Sequence, residues 1–256
     1  EEGDEGDFIK GDAGNDVIAS SNGLDVLMGG EGKDVVFAGK DDTEVFGGEG
    51  DDFIMGGDGV DFLLGNEGDD WMEAGGGFDT TAGDNSELFF NSTIIGHDVM
   101  FAGSEEHDFD AESGDDIMVQ GESVMRNEGM FGFDWASFQG ATFNADVDMR
   151  IRIFTTEEAD ILRNRFDKVE ALSGGAGDDI LRGDDREAGE APAIPTVNNT
   201  ETLFFKDELS QAGLARIDGL RELLGNLVAD VPVGNSEDIV AFTGGNILLG
   251  GAGSDT

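Results

Sequence analysis

Apolar and acidic side chains recur every nine residues from Gly11 to Asn91. The nine units read GDAGNDVIA, SSNGLDVLM, GGEGKDVVF, AGKDDTEVF, GGEGDDFIM, GGDGVDFLL, GNEGDDWME, AGGGFDTTA and GDNSELFFN. The eighth position is apolar except at Thr81, and the sixth is Asp except at Thr43 and Leu88. The eighth-position residues are Ile18, Leu27, Val36, Val45, Ile54, Leu63, Met72 and Phe90. The sixth-position aspartates are Asp16, Asp25, Asp34, Asp52, Asp61, Asp70 and Asp79. One carboxylate and one core side chain therefore recur at a fixed separation.

Glycine at the first and fourth positions of a unit allows a tight turn whose carbonyls point inward. These glycines are Gly11, Gly14, Gly29, Gly32, Gly47, Gly50, Gly56, Gly59, Gly65 and Gly68. The last three residues of a unit form a short strand, and two units complete one coil. Alternate units then stack about 4.8 Å apart as neighbouring strands of a parallel sheet. The period predicts a mainly β fold, a parallel β-roll with two facing sheets and two ladders of turns.

The two ladders of turns bring like charges together. We expect one to carry Asp16, Asp34, Asp52 and Asp70, and the other Asp25, Thr43, Asp61 and Asp79. Carboxylates roughly 5 Å apart repel by about 3 kcal/mol at an effective dielectric constant near 20. In the turns, only Lys33 and Lys40 carry positive charge. The pattern therefore predicts divalent cations between successive turns, and an oxygen-only donor set favours calcium over zinc or copper.

The repeats resemble the RTX, or haemolysin-type, calcium-binding repeats of bacterial exported toxins, proteases, lipases and adhesins. The likeness is strong from Gly3 to about Asn91 and returns at residues 174–182 and 250–255. It implies Ca²⁺ as the cofactor, secretion from a bacterium by the type I apparatus, and other domains of the same polypeptide as partners. It also implies that the turn glycines and sixth-position aspartates bind calcium, together with Asp98, Asp116, Asp179 and Asp255. We expect weaker sites beside Thr43, unless Asp41 or Asp42 reaches across.

Outside the regular repeats the chain divides into further segments. We expect a roll at 1–91, an irregular continuation at 92–122, a mixed α/β insertion at 123–172 and a repeat at 173–186. A linker plus a helix follows at 187–238, and a further RTX block begins at 239–256. Both termini look cut from a longer protein.

Local patterns predict the elements of these segments. In the insertion, Val147, Met149, Ile151 and Ile153 alternate as in a strand. The pair Thr155 and Glu158 forms a possible capping box for a short helix that ends near Arg165. We expect Phe133, Trp135 and Phe138 to pack against the roll. The apolar spacing from Asp207 to Ala229 predicts one amphipathic helix that covers an open face of the roll.

Charge and composition narrow the function. The chain has 14 basic and 58 acidic residues, a net charge of −44, which excludes nucleic acid as a partner and disfavours anionic membranes. A halophilic surface is an alternative explanation of this charge, and a disordered acidic chain describes the same residues without calcium. There is no cysteine, no apolar run of about 20 residues and no signal-peptide pattern.

No catalytic motif is present. The sequence lacks a Ser-His-Asp arrangement, an HExxH helix and a P-loop, and it contains two histidines, His97 and His107. We therefore expect a non-catalytic segment. His107 lies in an acidic cluster at 105–110 that is either a transition-metal site or, more simply, a solvated turn or accessory calcium loop.

Two further hypotheses concern the rest of the protein. The segments 126–135, 166–170 and 181–185 resemble the repeat-bearing tails of large bacterial haem peroxidases of the animal type, which implies a peroxidase as the parent protein. The alternative to a calcium-folded scaffold is an interaction module. Its basis is the apolar seventh and ninth positions, which should face outward and be covered by another domain or partner.

Overall fold

The chain winds into a stack of parallel coils, as the period predicts. The computed structural model describes residues 5–20, 22–84, 96–185, 209, 211–216, 219–228 and 246–256. Its strands are β1 (Phe8–Ala13), β2 (Val17–Ala19), β3 (Asp25–Glu31), β4 (Val35–Gly39), β5 (Thr43–Glu49), β6 (Phe53–Asp58), β7 (Phe62–Glu67), β8 (Trp71–Gly76), β9 (Asp79–Ala82), β10 (Val99–Phe101), β11 (His107–Asp110), β12 (Ile117–Val119), β13 (Met125–Glu128), β14 (Trp135–Ser137), β15 (Asp146–Asp148), β16 (Arg165–Asp167), β17 (Ala171–Ser173), β18 (Ile180–Arg182) and β19 (Ile247–Leu249).

Alternate strands belong to opposite sheets. The first sheet has the order β1-β3-β5-β7-β9-β11-β13-β16, and the second has β19-β17-β14-β12-β10-β8-β6-β4-β2. All of these pairs are parallel, and Ile18 of β2 lies beside Val36 of β4, one coil and two repeats further along. A two-stranded sheet of β15 and β18 stands apart from the two stacks. The mainly β, parallel-roll fold class is confirmed.

The core lies between the two sheets and consists of the eighth-position side chains. Leu27, Val36, Val45, Ile54, Leu63 and Met72 have no exposed surface. Thr81, the exception in the sequence, occupies the same inward place and is also fully buried. Because side chains alternate across a strand, the residues on either side of these positions face outward. Leu88 and Phe90 lie outside the described residues.

The interior of the roll continues into the segments where the repeat decays. Met100, Met118 and Met125 are fully buried in the same cluster as the eighth-position residues. The segment predicted as a mixed insertion supplies β13 and β16 to the first sheet and β14 and β17 to the second. Phe133, Trp135 and Phe138 are buried, as predicted.

The predicted strand and helix within 147–165 form only in part. Asp146–Asp148 is a strand, whereas Met149, Ile151 and Ile153 are buried beyond its end. Residues 158–162 form turns, so the helix expected after Thr155 is wrong. The Thr155 hydroxyl still accepts a hydrogen bond, from the Glu157 amide at 3.2 Å. This single contact does not start a helix.

Two short helices cover one end of the second sheet. They are α1 (Gln211–Arg216) and α2 (Leu220–Leu224), followed by a 3₁₀ turn at Gly225–Val228. Gly219 precedes α2 and has a left-handed backbone with φ 82°. This conformation interrupts the single helix that the apolar spacing predicted. The buried side chains of this segment are Leu209, Leu214, Leu220, Leu224 and Val228, which pack on Phe133, Trp135, Ala171 and Ile247. The predicted covering role is confirmed. The linker at 187–202 lies outside the described residues.

The described part of the chain contains no helix that is both long enough and apolar enough to cross a lipid bilayer.

Candidate metal sites

The sixth-position aspartates of the second sheet form one continuous line. Each occupies the residue before a strand, and Asp98, Asp116 and Asp134 extend the line beyond the regular repeats. The backbone N–H of each aspartate donates to Oδ1 of the aspartate one coil further on. These bonds measure 2.8 Å for Asp16 to Asp34, 2.8 Å for Asp34 to Asp52, 2.7 Å for Asp52 to Asp70, 2.8 Å for Asp70 to Asp98, 2.7 Å for Asp98 to Asp116 and 3.0 Å for Asp116 to Asp134. Every coil thus presents a carboxylate to the next.

A second, interrupted line runs along the first sheet. Asp25 accepts from Asp7 N–H at 2.7 Å, and Asp79 accepts from Asp61 N–H at 2.8 Å. Between them Thr43 donates its N–H to Asp61 at 2.8 Å, but it offers no carboxylate of its own. The two ladders therefore contain the members that the period predicted.

The aspartates beside Thr43 do not replace the missing carboxylate. Asp41 Oδ2 accepts from Gly23 N–H and Asp42 Oδ1 from Val60 N–H, both at 2.9 Å and both on the exposed side of the turn. The interruption of the ladder at Thr43 therefore stands.

A third, shorter line lies beside the two-stranded sheet. Asp179 Oδ1 accepts from Ala145 N–H at 2.8 Å, and Asp255 Oδ1 accepts from Asp179 N–H at 3.0 Å. The structure thus separates these two predicted site residues from the main ladders, although it gives them the same contact.

The other carboxylate oxygen of most ladder aspartates is buried and has no hydrogen-bond partner. Among the described residues this holds for Oδ2 of Asp16, Asp34, Asp52, Asp61, Asp70, Asp98, Asp116 and Asp134. A buried acceptor without a donor is costly, and a buried carboxylate is more so. Each of these oxygens therefore requires a positively charged partner.

First-position glycines make room beside these oxygens. A methyl group added to Gly47 would lie 2.5 Å from both Asp52 Oδ2 and the Gly65 carbonyl oxygen. A methyl group added to Gly11, Gly29, Gly56 or Gly65 would likewise clash with Oδ2 of the aspartate five residues later in the chain. Glycine thus keeps open a space lined by one carboxylate oxygen and one carbonyl oxygen.

The fourth-position glycines shape the turn itself. The backbone of Gly14, Gly32, Gly50, Gly59 and Gly68 has φ between 120° and 140°, a region that disfavours side chains. The carbonyl of each coil also lies against the next glycine of the stack, as Gly32 O does against Gly50. Both sets of predicted glycines are therefore required by the turn geometry.

The donor set fits calcium. Its carboxylate and carbonyl oxygens are hard ligands, and Ca²⁺ accepts six to eight of them in a flexible geometry. In the part of the chain that the structure describes, no three acidic or imidazole side chains converge in a metal-binding group. Backbone carbonyls must therefore complete each site, as the inward-pointing turns allow.

Among the described residues, basic side chains compensate the ladder only in part. Lys33 pairs with Asp51, an exposed fifth-position residue, and so does not neutralise the buried oxygens. Arg216 of α1 donates to the Asp115 carbonyl at 2.9 Å, and its charge lowers the pKa of Asp98 and Asp116 in part. This effect is smaller than that of burial, which raises both values.

Burial and neighbouring carboxylates raise the pKa of several ladder residues. Burial is the first cause for Asp52, whose pKa rises to about 6, and for Asp61, whose pKa rises to about 7. The pKa of Asp70 reaches about 9 through burial and the charge of Asp98. The pKa of Asp134 also rises through burial and the charges of Asp116 and Glu170. Without a cation, these four residues hold protons that an exposed aspartate would lose.

His107 is buried in β11 and occupies the ladder place that follows Asp79. Its Nε2 accepts from Gly103 N–H at 3.1 Å, and its Nδ1 lies 3.0 Å from Asp79 Oδ2. Two acidic neighbours of His107 form ion pairs with other residues: Asp108 pairs with Arg126, and Glu106 pairs with Arg165 at 3.5 Å. The expected solvated turn at His107 is therefore wrong, and the cluster at 105–110 does not gather around the imidazole.

His97 lies in the turn before β10, and its side chain forms a hydrogen bond with the backbone. Its Nδ1 accepts from Asp115 N–H at 2.8 Å, and the ring is buried. It thus joins two successive turns of the second sheet.

Two ladder residues were missed by the sequence pattern. Asp134 continues the second-sheet line, and Glu170 Oε2 accepts from Asp134 N–H at 2.7 Å at its far end. The signal for Asp134 was its 18-residue distance from Asp116. Glu170 lies 36 residues further on and replaces aspartate, so the period does not reach it.

Replacing Asp52 with asparagine tests the ladder. The D52N side chain can still accept from Asp34 N–H, but it loses the charge beside Gly47, so we expect weaker calcium binding and about one ion fewer per chain. Equilibrium dialysis of the calcium-folded protein over a range of free calcium concentrations measures both. The matched control is D58N, which removes an exposed carboxylate from the third position of a turn. Equal effects of the two substitutions would contradict a site at Asp52.

Comparison with known proteins supports the metal assignment. The family model of the RTX calcium-binding nonapeptide repeat matches residues 3–42, 46–81, 170–185 and 240–256, together less than half of the chain. No curated protein and no solved structure matches the sequence. The narrower resemblance to haem peroxidase tails thus gains no support. RTX nonapeptide repeats bind calcium. The chain therefore carries four segments of RTX calcium-binding nonapeptide repeats, arranged in a parallel β-roll.

Proposed function

We propose that this roll folds on calcium binding after export from a bacterial cell and then serves as a scaffold for the other domains of a secreted protein. The observation that carries the proposal is the row of buried, unpartnered Oδ2 atoms along the second sheet. Its members are Asp16, Asp34, Asp52, Asp70, Asp98, Asp116 and Asp134. The calcium ligands in this proposal are these oxygens, those of Asp25, Asp61, Asp79, Asp179 and Asp255, and the carbonyls of the turns.

Calcium binding and folding are linked because the sites exist only in the stacked coils. Successive turns supply the two sides of each site, so an unfolded chain has no comparable affinity. Two terms oppose stacking without metal: carboxylate repulsion and the conformational entropy of 42 glycines. Bound calcium supplies the positive charge that removes the first term and offsets the second.

The calcium concentration decides where folding occurs. Extracellular calcium modules respond at roughly 0.1 to 1 mM metal. Cytosolic calcium lies far below this range, so the chain remains unfolded before export and suits passage through a narrow channel. Folding then follows arrival outside the cell.

A second function is supported by an apolar column on the outer face of the second sheet. Neighbouring strands place Val17, Val35, Phe53, Trp71 and Val99 in one row. Val17 is 75% exposed and Trp71 40% exposed. The same row continues to Ile117 and Trp135, where α1 and α2 cover it. The uncovered part is therefore suited to docking of a neighbouring domain.

Hydrogen exchange distinguishes the docking role. The longer protein should protect the backbone of β4, β6 and β8 more than the isolated roll does at the same calcium concentration. Identical exchange in both proteins would contradict docking on this face.

Calcium titration tests the proposed function directly. In chelator, far-ultraviolet circular dichroism should show an unfolded chain, and β-strand signal should appear cooperatively near 0.1 to 1 mM calcium. Trp135 is 5% exposed, so its fluorescence should shift to shorter wavelength in the same range. Magnesium is the control, because it demands near-ideal octahedral geometry and retains its water. Native strand content in chelator would contradict calcium-dependent folding.

The metal-free chain should respond to pH in the opposite direction from the calcium-bound roll. Burial raises the pKa of Asp52 to about 6, of Asp61 to about 7 and of Asp116 to about 8. A carboxyl group whose pKa in the folded state lies above its unfolded value of about 4 favours folding at a pH below that unfolded value. This contribution is lost as the pH rises through about 6 to 8. Strand content in metal-free buffer should therefore be higher at pH 4.5 than at pH 8.

With calcium present, the charged carboxylates are the ligands and stability should increase from pH 4.5 to pH 8. Calcium is removed on a chelating resin, because soluble chelators lose affinity in acid. Thermal melts at the two pH values, with and without calcium, measure the crossover. The same pH trend in both series would contradict cation-neutralised carboxylates.

A further inference from the structure

The regular spacing of the ladder is broken once in the second sheet. Asp70 and Asp98 lie 28 residues apart, whereas the neighbouring ladder members Asp52 and Asp70 lie 18 apart. Asp84 lies two residues after the end of β9, at the start of this longer connection, and has no exposed surface. Neither the family-model match nor the sixth-position pattern includes it.

Among the described residues, Asp84 has no hydrogen-bond partner that explains its burial. Both of its carboxylate oxygens are buried and lack a hydrogen bond, whereas a ladder aspartate uses Oδ1 to accept an N–H from the adjacent coil. Burial is the main cause that raises the pKa of Asp84, and the backbone amides of Gly96 and Ser113 lower it only in part. Neither amide forms a well-aligned hydrogen bond with the carboxylate. An isolated buried carboxylate costs several kcal/mol, so a compensating cation is expected.

The unpartnered oxygens converge beside Gly96. A methyl group at Gly96 would lie 2.9 Å from Asp84 Oδ1 and 3.0 Å from Asp98 Oδ2, and the Gly68 carbonyl oxygen would be closer still. At Gly50, which occupies the same turn position in a regular coil, the three nearest atoms all belong to the Gly32 backbone. The junction therefore gathers two carboxylates at a turn position where Gly50, Gly59 and Gly68 meet backbone atoms alone.

We propose that Asp84, Asp98 and the Gly68 carbonyl bind an additional calcium ion outside the nonapeptide pattern. This inference rests on the proposed calcium function, which it extends to the interruption of the repeat. The donors come from the turn after β7, the turn after β9 and the residue before β10, so one ion joins the coils on both sides of the break. Two carboxylates in one site balance the charge of Ca²⁺, and oxygen donors of this kind suit it.

Anomalous diffraction from crystals of the wild-type protein grown in calcium, or soaked in terbium, tests the site without any substitution. We expect a peak bounded by Asp84, Asp98 and the Gly68 carbonyl. Peaks at the sixth-position aspartates with none at Asp84 would overturn this inference and leave the proposed function intact. A well-ordered roll without any peak would overturn both.

The substitution D84N gives a second test in solution. It preserves the shape of the side chain and removes its charge, so the folded variant should bind one calcium ion fewer by equilibrium dialysis. The matched control is D12N, because Asp12 is the second residue of a Gly-Asp turn like Asp84, but is exposed and pairs with Lys10 at 2.5 Å.

The D12N variant should bind as many ions as the wild type. An unchanged ion count in D84N would show that Asp84 is a protonated carboxylic acid and would overturn the site. If D84N does not fold in calcium, the anomalous map of the wild-type crystal decides.

Discussion

The fold depends on the charge of carboxylates that the coils bury in line. Along the second sheet, each aspartate from Asp34 to Asp134 accepts the N–H of the preceding coil with Oδ1, and its Oδ2 is buried without a donor among the described residues. The backbone contact fixes where the carboxylate lies, and the absence of a donor decides that it needs a cation. The same side chain thus sets the register of the coils and makes their stacking dependent on metal.

Glycine and core packing have subordinate roles. First-position glycines such as Gly47 keep the metal space open, and inward residues such as Leu63 and Met72 fill the interior between the sheets. A core that is one side chain wide per strand buries little apolar surface in each coil, and the hydrophobic contribution grows with buried area. Calcium therefore has to supply what the thin core and the glycine-rich backbone do not.

The sequence predicted the parts of the fold that obey a fixed period. Asp52 and Asp70 were placed in one ladder, and Asp61 and Asp79 in the other, because alternate units of a two-unit coil stack. Where the spacing changes, the period gives no partner. The 28-residue step to Asp98 and the 36-residue step to Glu170 depend on which strands pair, a long-range property. Asp84 was missed for the same reason.

Local signals were less reliable than the repeat. The apolar spacing before Val228 predicted one helix, and Gly219 divides it, because a left-handed residue interrupts regular helix geometry. The sequence left His107 either in a transition-metal site or in a solvated turn or accessory calcium loop, but strand pairing with Asp79 buries it. In both cases packing of distant segments outweighed the local pattern.

The most direct test of the central claim is the free energy of unfolding, measured by urea denaturation over a series of free calcium concentrations. For one ion released on unfolding, mass action gives about 1.4 kcal/mol per tenfold increase in calcium above the dissociation constant. If several calcium ions neutralise the stacked carboxylates, the free energy of unfolding should increase several times more steeply with calcium concentration. A free energy of unfolding that does not change with calcium would contradict the account.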